Sequence, residues 1–194
     1  MADLINTFQD FSFPDTHSAQ SGELPTRLDR RLLTVPSIAA LYPLLADFLL
    51  QIVEVDGVWL GAPDEQEAVA YHFVAGEGVR EFLAGGTIRI NDNPDSALAL
   101  AWRTGVPQFT LDWTDRGNPS PGAFWRERGL RFGWRSSCAI PVSGSAGNRD
   151  ILILYSKRAN FFAEEQIQQF VHQLHSLLGF ALERLLLDHW RDVW

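Results

Sequence analysis

Residues 135–170 read RSSCAIPVSGSAGNRDILILYSKRANFFAEEQIQQF. Two near-continuous apolar runs, SSCAIPV and DILILYS, are joined by the turn-forming SGSAGNR. Runs of four to eight such residues without polar alternation predict strands covered on both faces, here the two central strands of a sheet. Pro141, late in the first run, needs a position where its missing donor is not required. The FFAEEQ that follows opens a helix: Phe162 can staple its entry, and Glu164 and Glu165 complement the macrodipole in its first turn. From Ala163 onward Ile167, Val171, Leu174, Leu178, Ala181 and Leu185 recur at steps of four and three. That spacing predicts a long helix with a heptad seam for a coiled-coil partner, running without a terminal stop signal to Trp194.

Upstream the period changes. Residues 1–23 mix Phe8, Phe11 and Phe13 with polar residues and no sustained repeat, the pattern of an arm. Thr26 caps a short helix carrying Leu28, Leu32 and Leu33, which stops before Pro36. Ser37 caps another, with Ile38, Leu41, Leu45, Phe48, Leu49 and Ile52 at helical spacing, and Pro43 is expected to kink it or to mark its true start. DGVWLGA and EAVAYHFVA form a hairpin about PDEQ, and TIRI at 87–90 is a third strand. Asp95 or Ser96 caps the helix ALALAWRTG, which Gly105 ends. QFTLDW is a strand, residues 114–123 are a Pro/Gly loop, and AFWRERG is a short helix.

This order of elements resembles a GAF domain, the small-molecule sensor module of bacterial signalling proteins. ALAWRTGVPQFTLDW is similar to that family's helix with its Thr-Gly-x-Pro turn and following strand. RSSCAIPV is similar to its Ser-x-x-x-Val-Pro strand, and ILILYSKRANFFAEEQIQQFVHQLHSLLGFAL to its last strand, Phe-x-x-Glu-Glu turn and terminal helix. The resemblance implies an α+β fold: an antiparallel sheet of about six strands, with N- and C-terminal helices on one face and a ligand pocket on the other. It gives a domain at 26–184, an arm at 1–25 and an extension at 185–194 toward an output domain. The implied pocket lies beneath residues 91–135. The family's cyclic-nucleotide motif, Asn-Lys-x-Phe-Asp-Glu, has no equivalent here. The pocket helix carries no cysteine for a bilin, and one cysteine cannot form the pair that reduction of free methionine sulfoxide requires.

Composition narrows the class further. A chain of 194 residues with 46% hydrophobic and 12% aromatic residues is globular, one domain plus extensions. One cysteine forms no internal disulfide, which fits a reducing, cytoplasmic setting. The net charge of −8 opposes nucleic acid and anionic lipid, and no run approaches the roughly 20 apolar residues of a membrane span. Residues 1–95 hold 15 acidic and 5 basic side chains, and residues 96–194 hold 9 and 11. Any anion site therefore belongs to the second half.

Most of the candidate ligand-binding residues fall in the stretch where the resemblance implies the pocket. Trp102, Trp113, Trp125 and Trp134 flank the Pro/Gly loop and are expected to wall the pocket together with Phe109 and Phe124. Trp59, Trp190 and Trp194 are read as structural or interfacial. Arg126, Arg128, Arg131 and Arg135 have two readings: a solvated face lying on aromatic rings, or, for Arg131 and Arg135, a gate that holds an anionic group. His72 is either a half-buried strand residue, a polar contact to a ligand, or an axial ligand to a non-covalent haem. Cys138 is read as inert core. His172 and His175 share a helix face but flank the seam, and no metal is expected there.

Hydrolase, P-loop and metalloprotease signatures are missing, so the chain is read as non-enzymatic. The expectation is a sensory domain whose occupied pocket biases a homodimer of terminal helices and, through it, an output domain. A ligand-free dimerisation module is the alternative.

Overall fold

The computed structural model describes residues 28, 31–32, 34–53, 55–117, 119–143 and 149–193. The arm at 1–25, the Thr26 cap and most of the turn between the two apolar runs lie outside them. Helix α1 is Ile38–Ile52, and the Ser37 hydroxyl accepts from the Ala40 amide at its start. Pro43 lies inside α1 and does not begin it. Its ring is exposed, and the bond it cannot make is only that to the carbonyl four residues back.

Strands β1 (Gly57–Pro63) and β2 (Ala68–Ala75) form the hairpin. Asp64 holds its turn by accepting from the amides of Gln66 and Ala68. A five-residue helix, α2 (Val79–Leu83), follows, entered through Gly78 at φ +77°. The third strand is shorter than expected, β3 being Ile88–Arg89 alone. Helix α3 (Ala97–Thr104) is capped by Ser96 and closed by left-handed Gly105. Strand β4 is Gln108–Thr110, half the length read from QFTLDW, and helix α4 is Ala123–Arg131. Strands β5 (Ser136–Ser143) and β6 (Arg149–Ser156) are the two apolar runs. The chain then makes a short turn of 3-10 helix, Phe161–Ala163, before α5 (Glu165–Val193), which begins two residues later than expected.

All six strands lie in one antiparallel sheet in the order β3-β2-β1-β6-β5-β4. The two central strands are therefore β1 and β6, and β5 is displaced one place outward by the pairing of β1 with β6. Pairing with β4 ends at Ala139, so Pro141 meets a strand on the β6 side only.

The sheet separates two cores. On one face α1 (Leu41, Leu45, Phe48, Leu49) and α5 (Val171, Leu174, Leu178, Ala181, Leu185) cover Val58, Leu60, Cys138, Ile140, Leu152 and Leu154. The predicted coiled-coil seam is thus consumed inside the chain. Its spacing serves a helix packed on a sheet as well as one packed on another helix, and here the sheet takes it. On the opposite face Trp59, Phe82, Trp113, Trp134, Ile153 and Tyr155 gather in an aromatic core.

Candidate functional site

The alternation of β-strand side chains gives the sheet's second face its chemistry. In β5 Cys138 and Ile140 point to the helices, and Ser137 and Ala139 to the aromatic side. Above these residues is a cavity of about 380 Å³, within the usual range of small-molecule sites. Thr110, Ser137, Ala139, Ile153, Tyr155 and Trp59 form its floor.

Four separate segments form the walls. Phe82 comes from α2, Thr87 and β3 supply a second stretch, Asn93 and Ala97 belong to the loop before α3 and its first turn, and Phe124 and Trp125 to the first turn of α4. Three hydrogen bonds tie α4 and the loop before it to α2 and to the loop before α3. The Asn93 amide donates to the Ser120 carbonyl at 2.7 Å, closing the loop before α3 against the loop before α4. Arg128 donates to the carbonyls of Phe82 (2.8 Å) and Glu81 (2.5 Å), pinning α4 to the C-terminal end of α2, where a cation also offsets the helix dipole. Ring edges meet faces along the wall: Phe124 to Trp125 at 5.2 Å, Trp125 to Phe82 at 5.3 Å and Phe82 to Tyr155 at 5.5 Å. Phe124 is 57% exposed at the mouth.

Of the residues singled out in the sequence, Trp113, Phe124 and Trp125 line this cavity. The others are placed elsewhere. Trp134 is fully buried behind the site, stacked on Tyr155 at 5.2 Å. Trp102 packs half-buried against the same core without reaching the cavity. Phe109 faces the helices, its ring against His172 of α5. None of the four arginines lines the cavity, which corrects the expectation of an arginine gate. Arg131 is exposed and paired to Glu127 one helical turn away, and Arg135 pairs with Asp112 at 3.3 Å. Hydrogen bonds to Thr114 and the Arg135 charge hold the Asp112 carboxyl below its usual range.

His72 is also corrected. A bulge leaves it unpaired between Leu60↔Phe73 and Gly61↔Tyr71, so that His72 and its neighbour Phe73 both pack on Tyr42 of α1. It lies on the helix face, 3.6 Å from Asp150, and cannot ligate a haem held in the cavity. The single thiol, Cys138, is buried in the helix-side core, and burial raises its pKa well above the usual value. Among the described residues no group of three His, Cys, Asp or Glu side chains could hold a metal.

Sequence reasoning missed Trp59, Phe82, Thr110, Ser137 and Tyr155. The strand residues were readable only with the register, and Phe82 sits on a helix too short to show a period. A second cavity of about 250 Å³ adjoins the first, sharing Trp59, Thr87 and Ile88 and opening beside Tyr71.

No family model matches the sequence, and no curated protein matches it. Solved structures do resemble it. The free methionine-R-sulfoxide reductase of Neisseria meningitidis, in complex with its substrate, is 16% identical over 87% of this chain and 94% of its own, with a TM-score of 0.65. The phycoerythrobilin-bound GAF domain of a cyanobacterial phytochrome is 14% identical over 89% and 98%, TM-score 0.64. The GAF domain of a phosphoenolpyruvate-protein phosphotransferase from Coxiella burnetii is 11% identical over 91% and 99%, TM-score 0.63. Identities this low carry the fold and no activity.

Proposed function

The chain has the GAF-domain fold, and on that premise we propose that it is a regulatory, non-enzymatic domain that binds a small molecule and passes its occupancy to α5. The observation that carries this reading is the cavity itself, walled in part by the rings of Phe82, Trp113, Phe124 and Trp125, with α4 bonded to α2, and floored by the sheet. A filled core would need no such space.

Strand β5 supplies the route outward. Ser137 and Ala139 face the cavity, while Cys138 and Ile140 between and beside them pack among the residues of α5. A ligand that shifts β5 therefore acts on α5 through the thickness of one strand. It does so only as far as its affinity differs between the two positions. The output is a domain beyond α5, in a dimer whose contact is not the consumed seam. Phe180 and Leu187, seven residues apart on α5 and 59% and 56% exposed, are the face such a contact would use. A thiol mechanism like that of a methionine sulfoxide reductase has no support, since Cys138 is sealed on the far side of the sheet.

The test is a thermal-shift screen of a small-molecule collection against the protein and against Ala139→Leu, which fills the cavity floor. Compounds that stabilise the protein and not the variant are the expected result. Identical responses of the two proteins would contradict the cavity reading.

A further inference from the structure

The floor of the cavity has a chemical pattern that the fold alone does not require. The register places Thr110, Ser137, Tyr155 and Gly57 in one row across β4, β5, β6 and β1, and Gln108, Ala139, Ile153 and Trp59 in the next. The first row presents three hydroxyls to the cavity and the second an apolar surface. Gly57 closes the hydroxyl row without a side chain because a Cβ there would sit 2.6 Å from Val79.

Two of the hydroxyls are oriented by indoles. Trp59 Nε1 donates to the Tyr155 hydroxyl at 2.9 Å, and Trp113 Nε1 donates to the Ser137 hydroxyl at 3.0 Å. An indole N–H is a donor with no acceptor to offer in return. Each hydroxyl thus has a lone pair occupied and keeps a proton that cannot point back along the same bond. Among the described residues no acceptor takes either proton, and the hydroxyl of Thr110, a buried residue on the same row that lines the cavity, has no hydrogen-bond partner. Burial raises the Tyr155 pKa, which keeps its phenol a donor across the physiological range. The row is a set of donors awaiting an acceptor.

The charge of that acceptor follows from the surroundings. Arg89 is the cation among the lining residues. It is exposed, and its guanidinium reaches the Gln66 carbonyl at 3.5 Å. A carboxylate pressed onto the floor would meet hydroxyls and no buried cation, which leaves a desolvated charge uncompensated. A neutral carbonyl oxygen would accept from the row without that penalty.

Resting on the small-molecule reading above, we propose that the cavity selects a neutral planar ring compound with a carbonyl-type acceptor, such as an amide, lactam or aryl ketone. Its oxygen accepts from the hydroxyl row of Thr110, Ser137 and Tyr155, from at most two of them at once, and its ring lies among Phe82, Trp113 and Trp125.

Three probes of one ring size test this: naphthalene, naphthamide and naphthoate, with dissociation constants measured by ligand-observed NMR on the full chain. Naphthamide is expected to bind roughly three- to tenfold tighter than naphthalene, the worth of about one neutral hydrogen bond, and naphthoate to bind weakest. Thr110→Val orphans no protein group and is expected to weaken naphthamide while leaving naphthalene unchanged. Tyr155→Phe and Ser137→Ala should act in the same direction, with circular dichroism to verify folding because each strands an indole N–H. Naphthamide no tighter than naphthalene, naphthoate tightest, or a Thr110→Val effect equal on all three probes would overturn the ligand class and leave the cavity reading standing. Binding of none of them would also overturn it, and the Ala139→Leu screen then decides the cavity reading separately.

Discussion

Gly129 shows how one residue shapes the site. It lies in α4 directly against Trp113, and a Cβ there would come 1.9 Å from the indole Cζ3. Alanine would gain about 1 kcal/mol of helix propensity, but the indole would have to move and release its bond to Ser137. Overpacking of this kind costs about 1–3 kcal/mol. Gly129→Ala is therefore expected to lower the urea midpoint and shift tryptophan emission to the red, and an unchanged or raised midpoint would contradict this packing. Cys138 gives a second test. Its buried, protonated thiol should react with a thiol reagent only at the rate of global unfolding, and rapid labelling of the folded protein would show it to be accessible. The clustering of tryptophans named Trp102, Trp113, Trp125 and Trp134 alike, and of these Trp113 and Trp125 line the cavity. His72 and Phe109 could not be placed that way, because the face a strand residue takes depends on register, and one bulged residue in β2 reverses the parity.

Among the elements, α5 separates what its sequence states from what it leaves open. A seam of apolar residues at steps of four and three was legible, but the same spacing fits a coiled coil and a helix lying on a sheet. Burial of Val171, Leu174 and Leu178 against β5 and α1 decides for the latter. Leu178→Ala is accordingly expected to cost about 2–5 kcal/mol in equilibrium denaturation of the isolated domain, whereas Phe180→Ser should change it little; the reverse order would restore the coiled-coil reading. His175 on the same helix adds a pH dependence. Burial, and then the neighbouring His172, lower its pKa, so the folded state favours the neutral ring. The unfolded chain binds the proton more readily, and this part of the stability is full above the ordinary histidine pKa of about 6.5 and declines as pH falls through it. His175→Gln should reduce the loss of stability between roughly pH 7.5 and 5.5, measured by urea midpoints, and an unchanged slope would refute it. The strands β5 and β6 were readable from their apolar runs. Their order was not, because the pairing of β1 with β6 spans about half of the chain, and α2, at five residues, is shorter than any window that reveals a period.

In the molecule as a whole the sheet acts as a partition. Helices α1 and α5 seal one face with aliphatic side chains, and the other face carries an incompletely filled aromatic core open at Phe124. The two-sided arrangement was legible in the order of elements and in the motifs near Pro141 and Phe162. The polarity of the cavity was not, since it depends on three hydroxyls brought into one row from strands far apart in sequence. Their alignment replaces the arginine gate read from residues 126–135 with a neutral, donor-rich floor. The central claim is that a small aromatic molecule enters above this floor, and it is tested most directly by a two-dimensional NMR titration of the protein with naphthalene. The indole N–H signals of Trp59 and Trp113 and the backbone amides of Ser137 and Ile153 are expected to move together and saturate, and to stay still in Ala139→Leu. Signals that do not respond, or responses confined to the Phe180 and Leu187 face of α5, would contradict it.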